Sequence, residues 1–268
     1  MRWLCVLAFA MAVVSAQAAG PVNRLYVFGD SYSDMGRGWT ASNGPTAVVY
    51  LAQRLGLEMV ASTAKDISGK SLDFAVSGAI TGRREGLPYG SGVVKLGMEN
   101  QVDEFAAMVK AGTVSFDPAT TLFFIAGGLN DFKAATGETV SNLESEVATL
   151  YGCGARRFEV AILPETVPDF ADVAVRLNPA LAGIPAEMRG KLKDAEITTS
   201  RWGADYDDVM KHAAQYGFKD TKRACAMSDK DPKPCVDPES HYYYFASHPS
   251  TAVHKIVGDM LYDEVQRL

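Results

Sequence analysis

The sequence predicts an α/β fold in which a parallel sheet is covered by helices on both faces. Three observations point there. Short apolar runs at residues 25–28, 121–126 and 158–163 show no polar alternation, as expected of strands buried on both faces. Stretches with helical spacing of apolar residues lie between them, which suits crossovers between parallel strands. Glycine or proline then punctuates the end of each run.

Taken in order, Leu25, Tyr26, Val27 and Phe28 form the first strand, which stops at Gly29, Asp30 and Ser31. A helix is expected over 46–55, because Val48, Leu51, Ala52 and Leu55 share one face and Gly56 follows as a stop. The second strand, 121–126, ends in Gly127 and Gly128. Val140, Leu143, Val147 and Leu150 recur at three- and four-residue steps and mark a second helix. The third strand, 158–163, is stopped by Pro164, and a last helix runs through Val253, Ile256, Val257, Met260 and Leu261. No repeat, low-complexity tract or Pro/Ser linker interrupts this order. Residues 19–268 therefore read as one domain and a monomer, with 216–241 as a surface insertion. Ligands of such sheets gather beyond the carboxyl ends of the strands. Ser31 and Asn130 both follow a strand directly.

With 47% hydrophobic and 22% charged residues, the 268-residue chain is ordinary for a globular protein and is neither disordered, collagenous nor a small disulfide scaffold. Its 26 basic and 32 acidic residues leave a net charge of −6, and no Lys/Arg-rich run argues for nucleic acid as a partner. Residues 1–18 read as an export signal. Arg2 supplies the positive end, residues 3–14 are almost unbroken apolar, and Ala16-Gln17-Ala18 is a small-x-small cleavage pattern. That run is shorter than the ~20 residues of a membrane span, and no second run of spanning length follows. A secreted or periplasmic product without an integral membrane segment is expected. Cys5 leaves with the signal. Cys225 and Cys235 bracket a polar stretch, and a bridge between them would contribute ~2–3 kcal/mol by closing a short loop. Cys153, in Tyr151-Gly152-Cys153-Gly154, reads as a small packed thiol rather than a nucleophile.

Several familiar chemistries are absent. No G-x-G-x-x-G opens a helix after a strand, and Gly69-Lys70-Ser71 lacks the leading glycine of a phosphate loop, that position being Ala64. There is no H-E-x-x-H, and four scattered histidines offer no metal spacing. No serine sits in G-x-S-x-G. Four other segments remain. Phe28-Gly29-Asp30-Ser31-Tyr32-Ser33-Asp34 puts a serine at a strand-to-helix bend, although Gly-Asp-Ser alone is also ordinary turn chemistry. Phe74-Ala75-Val76-Ser77-Gly78-Ala79 ends an apolar run in a glycine whose backbone N–H could face a ligand. Gly127-Gly128-Leu129-Asn130-Asp131 places an amide side chain at a strand end, and Ser247-His248-Pro249-Ser250 places a histidine before the last helix.

In this order and spacing the segments resemble the GDSL (SGNH) hydrolase family. The resemblance extends through Asn43-Gly44-Pro45, Tyr50-Leu51-Ala52 and Gly154-Ala155-Arg156-Arg157, and so covers the chain from Leu25 to the last helix. It implies a flavodoxin-like, three-layer α/β/α sandwich and a serine esterase or lipase. Ser31 matches the family's nucleophile and His248 its general base, with the Ser31 amide, Gly78 and Asn130 as oxyanion-hole donors. The chemistry is self-consistent. An imbalance of charge on the carbonyl oxygen during acyl transfer needs preset donors, a serine hydroxyl needs a base, and neither needs a metal or organic cofactor.

One departure stands out. The family places an aspartate three residues before the histidine, and here that residue is Phe245. A backbone carbonyl, a bound water or anion, or a carboxylate such as Asp237 or Glu239 could orient the imidazole instead. The first two are favoured, because Asp237 and Glu239 lie in the polar insertion. His254, on the last helix, reads as a packing or surface residue, and His212 and His241 lie in polar stretches. Asp30 and Asp34 suit turn or cap roles. Trp39, Tyr89 and Phe132 either line an acyl or sugar pocket or simply pack. The expected substrate is a lipid or short-chain acyl ester. A polysaccharide acetyl esterase, an acyltransferase or phospholipase, and a non-catalytic binding protein of the same fold are the alternatives, the last disfavoured because all four site residues are present.

Overall fold

The structure, a computed structural model, describes residues 20–228 and 233–267. The expected signal segment 1–18 and its cleavage bond lie outside the described residues.

Strand β1 (Arg24–Gly29) is buried along its apolar length and leads through a turn to α1 (Ala47–Arg54). Short strands β2 (Met59–Ala61) and β3 (Ser71–Asp73) follow, then a two-stranded hairpin of β4 (Leu87–Tyr89) and β5 (Gly92–Val94). Next come α2 (Met98–Lys110), β6 (Thr121–Ala126), α3 (Thr136–Gly152) and β7 (Arg157–Ala161). Helices α4 (Ala171–Leu181) and α5 (Ile184–Lys191) lead to β8 (Glu196–Ser200) and α6 (Trp202–Lys211). The described chain closes with a small hairpin, β9 (Tyr243–Phe245) and β10 (His248–Pro249), and helix α7 (Thr251–Val265).

Six strands form one parallel sheet in the order β2-β3-β1-β6-β7-β8. Helices cover both faces: α1, α6 and α7 pack together, and α2, α3, α4 and α5 form the other group. The expected parallel sandwich is therefore what the chain forms. The strand order reverses between β1 and β6, since the chain builds β2 and β3 on one side of β1 and returns on the other. That reversal opens a crevice at the carboxyl ends of β1 and β6, the place where ligands of such sheets bind.

Local differences have local causes. The third strand ends at Ala161 rather than Leu163, because the Leu163 amide leaves the ladder and donates to Asn178 Oδ1 at 2.7 Å. Strands β2, β3 and β8 escape the sequence pattern because β2 and β3 have three residues each, and β3 and β8 carry Ser, Asp, Glu or Thr. The stretch expected as a surface insertion is tied down at its edges. Cys225 and Ala226 are buried, and their amides donate to the Tyr243 and Tyr244 carbonyls at 3.1 and 2.7 Å. The Cys225–Cys235 disulfide forms as expected and braces the strand that leads to His248. Cys153 is a free, half-buried thiol whose pKa burial raises.

Candidate active site

The site begins at the end of β1. Gly29 faces Ala126 in the sheet, and a Cβ on it would stand 2.7 Å from the Ala126 carbonyl oxygen, so only glycine allows this close approach. The chain then turns tightly. The Asp30 carbonyl accepts from the amides of Ser33 and Asp34 at 3.0 and 2.9 Å, and Asp30 Oδ1 accepts from the Tyr32 amide at 3.1 Å. Ser31 is left at the carboxyl edge of the sheet with 6% exposure. Asp34 joins two loops: its Oδ1 accepts from Gly36 and Arg37, and its Oδ2 from the Ser77 amide at 2.8 Å. Asp30 and Asp34 thus hold the turn, as expected. Burial pushes the Asp30 carboxyl up to about 7, with the Tyr32 hydrogen bond opposing the shift.

Beyond β3 the chain keeps running beside β1, with the amides of Phe74 and Val76 donating to the carbonyls of Val27 and Gly29. This brings Gly78 level with Ser31. Gly78 has φ +79°, and a Cβ there would meet Lys95 Cγ at 2.9 Å, so glycine is required on both counts. Neither the Ser31 nor the Gly78 amide has an acceptor among the described residues. From the other side of β1, the turn after β6 supplies Asn130, whose Nδ2 donates one hydrogen to the Ala79 carbonyl at 3.0 Å. Its second amide hydrogen is left over. Asp131 locks this meeting of loops by accepting from Thr81 N, Thr81 Oγ1 and Thr139 Oγ1.

His248 arrives from the opposite end of the chain. Its Nε2 stands 2.8 Å from Ser31 Oγ, across 217 residues of sequence. Tyr32, Trp39 and Phe170 surround the ring at centroid distances of 5.6, 5.5 and 6.2 Å, and the Tyr32 hydroxyl donates to the Ser247 carbonyl at 2.6 Å. This burial lowers the His248 pKa to about 4, while the Phe245 backbone and the Asp169 charge act the other way. The imidazole is neutral at pH 7, so an Nε2 that accepts from the serine hydroxyl places the ring proton on Nδ1.

Nδ1 is buried and forms no hydrogen bond among the described residues. The Phe245 carbonyl acts on the ring, but not in the geometry of a full hydrogen bond. Asp237 and Glu239 are exposed and engaged elsewhere, the first with Lys219 Nζ at 3.4 Å and the second with Asn43 Nδ2 at 3.0 Å. A carboxylate that the sequence reading missed, Asp169, accepts from Ser247 Oγ on the residue next to the histidine. It lies on the loop between β7 and α4, and no local motif marks it.

The remaining histidines are structural. His254 is buried rather than at the surface, with Nδ1 2.7 Å from the Tyr206 hydroxyl. His212 and His241 lie against backbone carbonyls of Asp208 and Asp237. Two clefts adjoin the loops of the site, one lined by Gly78 and the other by Asn130. An apolar recess of about 280 Å³ is lined by Trp39, Ser77, Gly78, Tyr89, Val94 and Lys95, with the β4–β5 hairpin as one wall. A second cleft of about 610 Å³ runs from Asn130 past Phe132 and Arg84. All three aromatics of uncertain role thus line a cleft. Among the described residues, no group of three or more His, Cys, Asp and Glu is disposed to hold a metal ion, and no helix is long and apolar enough to cross a membrane.

A family profile described as GDSL-like Lipase/Acylhydrolase matches residues 25–261. The chain is 23% identical over 335 aligned positions to the GDSL esterase/lipase At1g29670 of Arabidopsis thaliana, covering 97% of this chain and 92% of that protein. A second Arabidopsis thaliana protein, the GDSL esterase/lipase At3g50400, is 25% identical over 280 positions, covering 82% and 74%. Among solved structures, a Clostridium thermocellum family 3 carbohydrate esterase superposes with a TM-score of 0.50 at 12% identity, over 90% of this chain and 94% of that one; the likeness is one of fold.

Proposed function

The chain belongs to the GDSL-like lipase/acylhydrolase family and is a carboxylic ester hydrolase, and we propose that it works through an acyl-serine intermediate on Ser31. The observation that carries this reading is the 2.8 Å approach of His248 Nε2 to Ser31 Oγ in a ring already held neutral by burial. His248 takes the hydroxyl proton as Ser31 attacks the ester carbonyl. The amides of Ser31 and Gly78 and the free hydrogen of Asn130 Nδ2 receive the oxyanion, each donor contributing about 3–4 kcal/mol to the transition state. Collapse expels the alcohol, to which the imidazolium returns its proton, and water repeats the sequence on the acyl-serine.

The duty of the missing aspartate falls to two groups. The Phe245 carbonyl faces the ring, and the Asp169 carboxylate, fixed through Ser247, adds a negative field that favours the imidazolium. Burial dominates, and the pH dependence follows from it. Catalysis requires the neutral ring, so kcat/KM should hold its plateau down to mildly acidic pH and fall as the pH drops through about 4. An acid limb between about pH 6 and 7, where an unperturbed histidine titrates, would contradict this assignment.

The substrate is an ester with a short acyl chain. The apolar recess beside Gly78, at about 280 Å³, is at the small end of ligand pockets. A series of p-nitrophenyl esters tests this: kcat/KM for acetate and butyrate should exceed that for palmitate by about tenfold or more. A maximum at long chains would instead point to a lipase. The protein acts outside the cytoplasm, after cleavage behind Ala18. Arg2, the apolar run 3–14 and Ala16-Gln17-Ala18 support export, and the Cys225–Cys235 bridge suits an oxidising compartment.

A further inference from the structure

We propose that the alcohol part of the substrate carries an oxyanion, a carboxylate or a phosphate, held by Arg84 and Lys133 in the cleft beside Asn130. The inference rests on the ester-hydrolase chemistry at Ser31 and concerns which ester enters. The cleft shares Asn130 with the site and extends from it between the loops that carry Arg84 and Lys133. In a chain of net charge −6, it gathers Arg83, Arg84 and Lys133. Arg83 is satisfied by Glu99 and Asp103. Arg84 is not. Its backbone is pinned, with the amide donating to Asn100 Oδ1 at 3.0 Å and the carbonyl accepting from Gly97 at 2.9 Å. Its guanidinium, like the Lys133 ammonium, has no ion pair or hydrogen bond among the described residues.

The acids around the cleft do not answer these charges. Asp131 is buried and saturated by Thr81 and Thr139, which leaves Glu138 as the single exposed carboxylate on the lining. The wall itself is firm. Arg176 donates to the carbonyls of Asp131 and Ala134 at 2.8 and 2.9 Å and so holds the loop bearing Phe132 and Lys133. Phe132, 54% exposed and stacked on Phe170 at 6.0 Å, offers a flat apolar face beside the cations. A guanidinium takes a carboxylate or phosphate in a paired, directional contact, and cations at a cleft mouth raise the local concentration of anions. The two clefts then divide the ester. The apolar recess suits an acyl chain, which leaves the basic cleft for the alcohol.

The test compares three acetyl esters: 4-acetoxybenzoate, 4-acetoxyphenyl phosphate and neutral methyl 4-acetoxybenzoate. Each kcat/KM is divided by the ester's own hydroxide-catalysed rate. The expected result is a preference of about tenfold for at least one charged ester over the neutral one. Which charged ester leads identifies the oxyanion. The preference should shrink at about 0.5 M salt, where screening is strong, and should fall close to one in the Arg84→Gln/Lys133→Gln double variant. A neutral ester turned over as fast as both charged ones overturns the inference, as does a charged-to-neutral ratio that the double variant leaves unaltered. If none of the three esters is hydrolysed, nor p-nitrophenyl acetate, the hydrolase chemistry at Ser31 fails and this inference falls with it.

Discussion

Ser31→Ala is expected to lower kcat on p-nitrophenyl acetate by about 10⁵-fold while the protein stays folded. The magnitude follows from what surrounds the hydroxyl. In a serine protease with a complete triad, losing the nucleophile costs about 10⁶ in turnover, and losing the acid alone costs about 10⁴. Here the acid position is Phe245, so an uncompensated pair would retain little for Ser31→Ala to remove, on the order of 10². The Phe245 carbonyl and the Asp169 field recover part of the deficit, which places the expected loss between these limits. The size of the loss therefore measures how well the chain manages without its aspartate. A loss of less than about tenfold would remove Ser31 from the reaction. The fold should tolerate the change, since the one side-chain partner of Oγ among the described residues is His248 Nε2.

His248→Ala should produce a loss of the same order, and the Ser31→Ala/His248→Ala double variant should be no slower than either single variant. Groups that act as one unit fail together, because a hydroxyl without its base is no better than no hydroxyl. The variant also has a distinctive rescue. Removing the ring leaves a cavity among Tyr32, Trp39 and Phe170 that abuts Ser31 Oγ. Added imidazole should enter it and restore part of the rate in His248→Ala but none in Ser31→Ala. The same cavity should lower stability by about 1–3 kcal/mol, read as a shift in denaturation midpoint. Additive losses in the double variant would mean that the two residues act in separate steps.

Much of this site is written in short segments. Gly29-Asp30-Ser31, Ser77-Gly78, Asn130-Asp131 and Ser247-His248 each sit where an apolar run or helix pattern breaks. Each break marks a position, and the roles of Ser31, Gly78, Asn130 and His248 follow from the resemblance of the four segments, in their order, to the GDSL (SGNH) family. Asp169 could not be read this way. It neighbours the histidine only through Ser247, from a loop whose position depends on α4 and β7. Asp237 and Glu239 show the converse. They are close to His248 in sequence, yet the insertion turns both outward.

Sequence alone determined strands β1, β6 and β7, helices α1, α3 and α7, the parallel sandwich and the positions of the four motif segments. It could do so because burial on both faces, helical periodicity and glycine or proline stops act over a few residues and need no knowledge of the rest of the chain. Tertiary structure alone decided the strand order, the seating of His248 against Ser31, the neutral state of its ring and the meeting of Arg84 and Lys133 in one cleft. Each of these depends on which distant groups come within a few ångströms, and on how much water they exclude. Such distances belong to the packed molecule and to no segment of it.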